Sequence, residues 1–310
     1  MVLETSATSP PSDSLVCLSE LPDKTLFLTD KADAGHSVTF LLRSPSVFDA
    51  DEKIQAHVAS AKALLVKGDA LVKDDVKHVW EEAVSHGNGA VDLLLFSVGM
   101  PPSHSPIPVL TSLFLDCLGG LPAGFNLFKG FLISPPNLCT QSLLNVVCTI
   151  PTTIAPPRLV TISSMGLGAT SHAALPFVLR FFYGLFLHAV HEDKLGSERV
   201  VAHCAGWDWD VADYGEPHDN IMGPGNWKER EGLPVPGSLK NAVVVRPALL
   251  TNGKCAADNI QDGQKGPYRV SAEELRGAWT ISRRDTAHFV VDLAVNRWEE
   301  FQGKRVTIAY

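Results

Sequence analysis

The chain has 310 residues, of which 45% are hydrophobic and 19% charged, and its mean hydropathy is +0.09. This composition excludes a disordered chain, a collagen and a coiled coil. The length suits one large domain or two closely joined domains, and either can bury a sizeable core. The 34 acidic and 26 basic residues give a net charge of −8 without a basic block, so nucleic acid is not expected as a partner.

The six cysteines are scattered, with no C-x-x-C pair. We therefore expect free thiols in a reducing, cytoplasmic setting rather than a zinc ribbon or a disulfide framework. Residues 1–14 are polar and lack the basic and apolar parts of a secretory signal. Residues 172–190 are apolar enough to mimic a membrane span, but Arg180 lies within them, where a charge costs about 2.5–3.5 kcal/mol. A buried or substrate-facing helix is predicted there, not a span.

Short apolar runs alternate with stretches of helical periodicity along the chain. Strands are predicted at residues 37–43, 64–68, 91–98, 158–164, 242–250 and 304–310. Helices are predicted at residues 54–63, 73–85, 137–148, 194–204 and 284–295, with another reaching to about 187. Ser282 and Asp285 mark the start of the helix that follows residue 283. This alternation is typical of an α/β fold whose parallel sheet carries helices on both faces.

Two stretches interrupt this alternation. Residues 101–130 are rich in Pro and Gly around an apolar middle. Residues 207–239 hold aromatic side chains among Pro, Gly and Asp. Because indole groups give a large contact area at low entropic cost, the second stretch is either an ordered loop over a site or a surface insertion packed on its own aromatic residues: Trp207, Trp209, Tyr214 and Trp227.

The glycine-rich loop of a dinucleotide-binding fold is missing before the first clear strand. Such a loop, G-x-G-x-x-G, lets the backbone and a helix N-terminus approach a pyrophosphate. Residues 26–28 are a candidate first strand, but the residues left before position 37 are too few for a crossover of about ten to twelve. Gly166 and Gly168 follow a strand and precede a helix without the third glycine, which leaves a phosphate loop or a simple strand-to-helix turn open.

Ser163 and Ser164 end an apolar strand. Ligands of open α/β sheets bind outside the carboxyl ends of the strands, so either hydroxyl could hydrogen-bond a substrate carbonyl. The alternative is a serine that caps the next helix. Neither serine lies in G-x-S-x-G, so a hydrolase nucleophile elbow is not indicated.

Tyr183 lacks the lysine of a Tyr-x-x-x-Lys pair, because Leu187 occupies that position. Lys194 lies farther along and could act in the site, or could form a solvated i,i+4 pair with Glu198. Metal binding is not predicted, because no further ligand cluster supports the nearby histidines: His172, His188, His191 and His203.

Seven segments keep a common order and spacing: SVTFLLRSPSVF, LLVKGDAL, VDLLLFSVG, VTISSMG, DKLGSERVVAHCAGW, VVVRPALLTNG and ISRRDTAHFVVDLAV. Together they resemble the atypical short-chain dehydrogenase/reductase group, the NmrA-like NAD(P)H-binding proteins, and in particular a fungal branch. The resemblance covers roughly residues 35–310. It implies one Rossmann-like domain over 1–310, with a parallel sheet, helices on both faces and a small C-terminal substrate lobe. Residues 1–34 would be an atypical N-terminus, 101–130 an insertion, and 207–240 and 251–280 loops of the lobe.

The resemblance also implies a site. Catalytic positions would be Ser163, Ser164 and Lys194. Cofactor-binding positions follow successive strands: Arg43, Asp69, Ser97, Val98, Gly99, Pro247, Ala248 and Leu249. Arg43 would contact the 2′-phosphate of NADP, since a guanidinium forks well onto phosphate. Asp69 would lie near the adenine.

The function implied is an NADP-dependent oxidoreductase, with NAD also possible, acting on a small, fairly apolar carbonyl or enone. Its partners would be the dinucleotide and that substrate. The alternative is a non-catalytic, NmrA-like dinucleotide sensor, which the missing glycine-rich loop favours. The two departures from the family pattern suggest a segment lost near residue 30 and extra sequence kept near 105–125, a hypothesis that sequencing of the mature transcript tests.

Overall fold

Twelve strands occur in the part of the chain that the computed structural model describes, residues 14–19, 36–98, 121–126, 130–180, 187–259 and 266–310. In chain order they are β1 (Ser14–Ser19), β2 (Ser37–Leu42), β3 (Ala63–Lys67), β4 (Leu93–Ser97), β5 (Leu121–Asn126), β6 (Gly130–Ser134), β7 (Arg158–Ile162), β8 (Ala242–Pro247), β9 (Leu249–Thr251), β10 (Arg269–Ser271), β11 (Thr280–Ser282) and β12 (Arg305–Ala309).

Eight of these strands form the central sheet, in the order β10-β12-β8-β7-β4-β1-β2-β3. All neighbours in it are parallel except β10, which runs antiparallel to β12. The order reverses between β1 and β4, as it does in a doubly wound nucleotide-binding sheet. The prediction of a Rossmann-like parallel sheet is confirmed.

Helices cover both faces of this sheet, as predicted. In the described part of the chain, the helices are α1 (Glu52–Ala59), α2 (Lys73–His86), α3 (Leu138–Cys148), α4 (Ala169–Ala174), α5 (His188–Ala205), α6 (Val211–Tyr214), α7 (Asp219–Met222), α8 (Arg283–Val295) and α9 (Trp298–Phe301). Alternate residues of each strand face opposite sides of a sheet. Leu95 of β4 accordingly joins a cluster with α1 and α8, while Leu94 joins one with α2, α3 and α5.

The first strand lies earlier in the chain than predicted. β1 is Ser14–Ser19 and occupies the middle of the sheet between β4 and β2, whereas the candidate at residues 26–28 lies outside the described residues. The stretch from 20 to 36 exceeds the ten to twelve residues that a crossover needs. The expectation that too few residues precede β2 for a crossover is therefore wrong, because the first strand ends at Ser19. Residues 20–36, between β1 and β2, contain a single glycine, Gly35, so the glycine-rich loop is still missing from the sequence.

The two interruptions contain short elements. Within 101–130 and just beyond it, β5 and β6 form an antiparallel pair, while residues 101–120 lie outside the described ranges. Residues 207–239 hold the short helices α6 and α7. Among the described residues, no helix has both the length and the apolar character needed to cross a membrane.

A second, smaller sheet marks the C-terminal lobe, where β9 and β11 pair in parallel. Helix α8 begins there, and the Ser282 hydroxyl accepts a hydrogen bond from the Asp285 backbone at 2.9 Å, as predicted for a helix cap. The buried Asp285 carboxylate also accepts hydrogen bonds from the backbone N–H groups of Ala256 and Ala257, both at 3.0 Å, and from Tyr310 Oη at 2.5 Å. One side chain thus joins three segments of the lobe.

Candidate active site

The predicted cofactor positions lie at one edge of the sheet, because parallel strands end on the same side. Arg43 follows β2, Asp69 lies two residues after β3, Ser97 ends β4 and Pro247 ends β8. Gly99 lies outside the described residues. The edge therefore runs from β3 to β8 across the reversal point between β1 and β4, where ligands of such sheets bind.

At the β7–β8 end of this edge, six of the predicted residues line one small pocket. They are Ser163, Ser164, Lys194, Pro247, Ala248 and Leu249. Leu187, Val190, His191 and Leu250 complete its walls. Both serines, the lysine and the turn after β8, which were predicted from separate parts of the sequence, thus line the same pocket.

Lys194 points to the strand end and not to Glu198. Its Nζ donates a hydrogen bond to the backbone carbonyl of Ser163 at 3.0 Å. The solvated Lys194–Glu198 pair considered from the sequence is therefore wrong. One turn before Lys194 on α5 lies Val190, so the pocket has no phenol at the position that Tyr-x-x-x-Lys requires. Tyr183 lies outside the described residues.

The two serines have different hydrogen bonds. Ser163 is 2% exposed, and its hydroxyl donates to Glu198 Oε1 at 2.6 Å. Ser164 is partly exposed, and its hydroxyl donates to the carbonyl of the adjacent Met165 at 3.0 Å. A hydroxyl has one proton to donate, so only Ser164 can turn a donor towards the pocket without breaking a bond to a buried carboxylate.

Glu198 is the centre of a buried ionic network that the sequence did not reveal. Arg246 binds it in a two-pronged arrangement, Nε to Oε1 at 2.9 Å and Nη2 to Oε2 at 2.6 Å, and Arg305 Nε donates to Oε2 at 3.1 Å. Burial opposes ionisation, but the two guanidinium groups and the Ser163 hydroxyl lower the pKa of Glu198 below its ordinary value. The carboxylate in turn raises the pKa of Arg246 against the opposing effect of burial.

The aromatic segment covers this network. The Arg305 guanidinium carbon lies 5.2 Å from the ring centroid of Trp207, 5.6 Å from that of Trp209 and 5.3 Å from that of Tyr214. The Trp209 and Tyr214 rings also contact each other, at 4.9 Å. Residues 207–239 therefore pack both on their own aromatic rings and on the arginines of the sheet.

The turn at Gly166 and Gly168 leads from a strand to a helix, and the carboxylate of Asp213 lies against it. Asp213 Oδ1 accepts a hydrogen bond from the Thr170 backbone at 2.7 Å, at the start of α4. A Cβ on Gly168 would lie 2.7 Å from Asp213 Oδ2 and 2.8 Å from the Tyr214 ring. Because a carboxylate and a ring already occupy this space, the geometry favours the turn over the phosphate loop.

The β2–β3 end of the edge carries exposed polar side chains. Arg43 is exposed, and the hydroxyls of Ser44 and Ser46 beyond it lie 3.0 Å apart. Asp69 Oδ1 accepts a hydrogen bond from the Leu71 backbone at 2.8 Å, which shapes the turn into α2. Exposed at this end are therefore a guanidinium and two serine hydroxyl groups in local turns.

His191 is the remaining ionisable group of the pocket. Burial, reinforced by the positive charge of Lys194 and by the neighbouring His172 and His188, lowers the pKa of His191 to about 3. Its imidazole is therefore neutral at physiological pH. Across the described ranges, no three metal-ligating side chains come together.

The fold and this edge define a Rossmann-like α/β protein with a pocket at the carboxyl ends of β7 and β8. No protein-family profile matches the chain. It is 29% identical over 183 residues to the reductase pytE of Aspergillus terreus, a match that covers 56% of this chain and only 58% of that protein. It is 25% identical over 299 residues to the oxidase pynE of Aspergillus niger, covering 87% of this chain and 90% of that one.

Similar solved structures are short-chain dehydrogenase/reductases. One, from Serratia marcescens, has a TM-score of 0.48 and 13% identity, covering 96% of this chain and 97% of that one. Another is YwfH, an NADPH-dependent reductase involved in bacilysin biosynthesis, with a TM-score of 0.48 and 12% identity over 95% of this chain and 98% of that one. The fold assignment depends on the strand order of the chain itself.

Proposed function

We propose that this protein is an NADP-dependent oxidoreductase that acts on a small, largely apolar carbonyl or enone. The observation that carries the proposal is the convergence of Ser164, Lys194 and the turn after β8 in one pocket at the carboxyl ends of parallel strands. The fungal relatives, a reductase and an oxidase by name, support redox chemistry of this class.

The donor set would serve the two ends of a dinucleotide. At the β2–β3 end, the Arg43 guanidinium with the Ser44 and Ser46 hydroxyls supplies the charge and donors that a 2′-phosphate needs. At the β7–β8 end, Lys194 and Ala248 line the pocket proposed for the nicotinamide. Asp69 would border the adenine, and Ser97 and Val98 the ribose. A bound nicotinamide dinucleotide supplies the hydride chemistry.

The chain's own residues would bind and protonate the substrate. Ser164 would turn its hydroxyl from the Met165 carbonyl to the substrate oxygen. Lys194 would deliver the proton to that oxygen, because an ammonium carries three donors and only one is directed to the Ser163 carbonyl. Val190 stands where the tyrosine of the Tyr-x-x-x-Lys pattern would be, so Lys194 would take the place of that tyrosine as the proton donor.

A non-catalytic dinucleotide sensor is the second candidate. The absence of a phenol at Val190 and the single glycine between β1 and β2 favour it. The two candidates share the cofactor site and differ in turnover.

Titration of NADPH and NADH into the purified protein tests both candidates. We expect Arg43→Ala to weaken NADPH binding by about 10- to 100-fold, the value of a charge-assisted phosphate contact, and to leave NADH binding unchanged. Arg284→Ala is the matched control, because Arg284 is also exposed but lies on α8. Equal losses for both cofactors would contradict the role of Arg43, and no binding at millimolar cofactor would eliminate the proposed function.

Turnover of a panel of carbonyl compounds separates enzyme from sensor. An enzyme would lose kcat in Ser164→Ala and in Lys194→Met while still binding NADPH. Binding of NADPH without turnover by the wild-type protein would favour the sensor.

A further inference from the structure

A second concave surface is formed by chain segments that continue from those of the pocket, and we call it the lobe groove. Its walls come from residues 170–180, which follow β7, and from residues 274–279, which precede β11. It encloses about 830 Å³, within the range of about 300–1,000 Å³ typical of small-molecule sites. The proposed roles of Ser164 and Lys194 do not involve this surface.

Hydrogen bonds connect the lobe groove to the strand end that carries the serines. Ser171 Oγ accepts a hydrogen bond from the Gly166 backbone at 2.8 Å and donates one to Glu274 Oε2 at 2.8 Å. On the other wall, Trp279 directly precedes Thr280, which pairs with Leu249 of the pocket. Both walls of the groove are thus built on the segments that border the pocket.

The groove exposes aromatic surface that its own fold leaves uncovered. Phe177 is 82% exposed and Trp279 is 49% exposed, and both line the groove. Large side chains exposed in this way within a concave surface mark ligand-binding grooves. They would accept a flat, apolar ligand by stacking and by burial of its surface.

The charges of the groove favour an anionic group on that ligand. Arg276 and Arg180 both line it and are exposed. Within the described residues, Arg180 donates only to the backbone carbonyls of Leu175 and Ala173, and neither guanidinium has a carboxylate partner. The acid of the groove, Glu274, is engaged elsewhere, with Arg246 Nη1 at 3.4 Å and with Ser171.

We propose that the lobe groove binds the substrate of the adjoining pocket, and that this substrate is a flat, largely apolar carbonyl compound bearing an anionic group. Phe177 and Trp279 would hold its apolar part, and Arg276, with Arg180, would hold its anionic group. The assignment as a substrate site depends on the proposed oxidoreductase function. The binding preference of the groove does not.

Two fluorescent probes of similar shape test the preference without cofactor: anilinonaphthalene sulfonate, which is anionic, and phenylnaphthylamine, which is neutral. We expect Trp279→Ala and Phe177→Ala to weaken both probes, by about tenfold for the tryptophan. Arg276→Ala should weaken only the sulfonate, and the exposed control Arg284→Ala should weaken neither. Equal affinities in all variants would overturn the site, and equal losses of both probes in Arg276→Ala would overturn the anionic preference.

Saturating NADPH then separates the groove from the cofactor site. The sulfonate should stay bound in its presence, and its displacement would assign the groove to the cofactor and overturn the inference. If NADPH fails to bind, the proposed function is refuted, while the variant series still tests the groove.

Steady-state kinetics of an active enzyme test the substrate assignment. An aromatic ketone with a carboxylate and one without it should differ in KM, and Arg276→Ala should remove that difference with little change in kcat. A difference that persists would overturn the substrate assignment.

Discussion

The two ends of the sheet edge are built differently. At the β7–β8 end, Lys194 is bonded to the Ser163 carbonyl, and the Ser163 hydroxyl is bonded to the buried carboxylate of Glu198. At the β2–β3 end, Arg43 is exposed, and the Asp69 carboxylate accepts a hydrogen bond from the turn that follows it. The first end is coupled to the core through a buried ionic network, and the second presents side chains on local turns. Substitutions at the two ends should therefore differ in their effect on stability.

Replacing Glu198 should have the largest effect. Glu198→Gln leaves two arginines around a neutral amide, and breaking a buried ion pair costs about 3–5 kcal/mol. Urea denaturation of the variant measures this loss in the free energy of unfolding. The control is Glu216→Gln, which removes the half-exposed partner of Arg199 and should cost about 1 kcal/mol or less. Equal losses would show that the Glu198 network does not couple this end to the core.

Low pH should weaken the β7–β8 end through His191. The folded pKa of about 3 lies below the unfolded value of about 6.5. Above pH 6.5 the imidazole is neutral in both the folded and the unfolded chain, so His191 does not affect stability there. As the pH falls from 6.5 towards 3, the unfolded chain binds a proton that the folded chain does not, and the free energy of unfolding decreases. Between pH 7 and pH 5 the loss should be about 1–2 kcal/mol.

Urea denaturation at both pH values measures it, and His191→Gln should have a smaller difference between them than the wild-type protein. The exposed His218→Gln serves as the control. Identical pH differences in all three proteins would contradict the lowered pKa of His191.

At the β2–β3 end, Asp69→Ala should cost about 1 kcal/mol, the net value of one hydrogen bond that holds a turn. The reason is the single bond from the Leu71 backbone to Asp69 Oδ1. Thermal unfolding of the variant measures this loss. A loss as large as that of Glu198→Gln would remove the distinction between the two ends.

Arg43→Ala should have the smallest effect on stability, within about 0.5 kcal/mol, because the side chain is exposed. Urea denaturation checks this expectation in the same variant that is used for cofactor titration. A large loss of stability would mean that Arg43 supports the fold, and a loss of NADPH binding in this variant would then not demonstrate a phosphate contact.

The sequence was sufficient for the parallel sheet apart from β1, and for the strand ends that share one edge, because apolar runs and their spacing determine which strand ends lie on the same side. It was insufficient for Glu198. The i,i+4 spacing suggested a pair with Lys194, whereas the actual partners, Arg246 and Arg305, lie 48 and 107 positions away. Such a contact depends on the strand order and on which face each arginine occupies.

β1 was missed for a related reason. Its six residues, SLVCLS, lack the glycine-rich turn that marks the first strand of a dinucleotide fold. Its pairing with β2 and β4 is a property of the assembled sheet.

The position of β1 has a practical consequence for any shortened form of the protein. It is the single strand that joins β2 and β3 to the rest of the sheet. A chain that started at His36 would contain two separate groups of strands. Each group would have an exposed edge strand whose unpaired backbone groups can pair with other molecules. Deleting the amino-terminal region should therefore give aggregates, even though its polar start looks expendable.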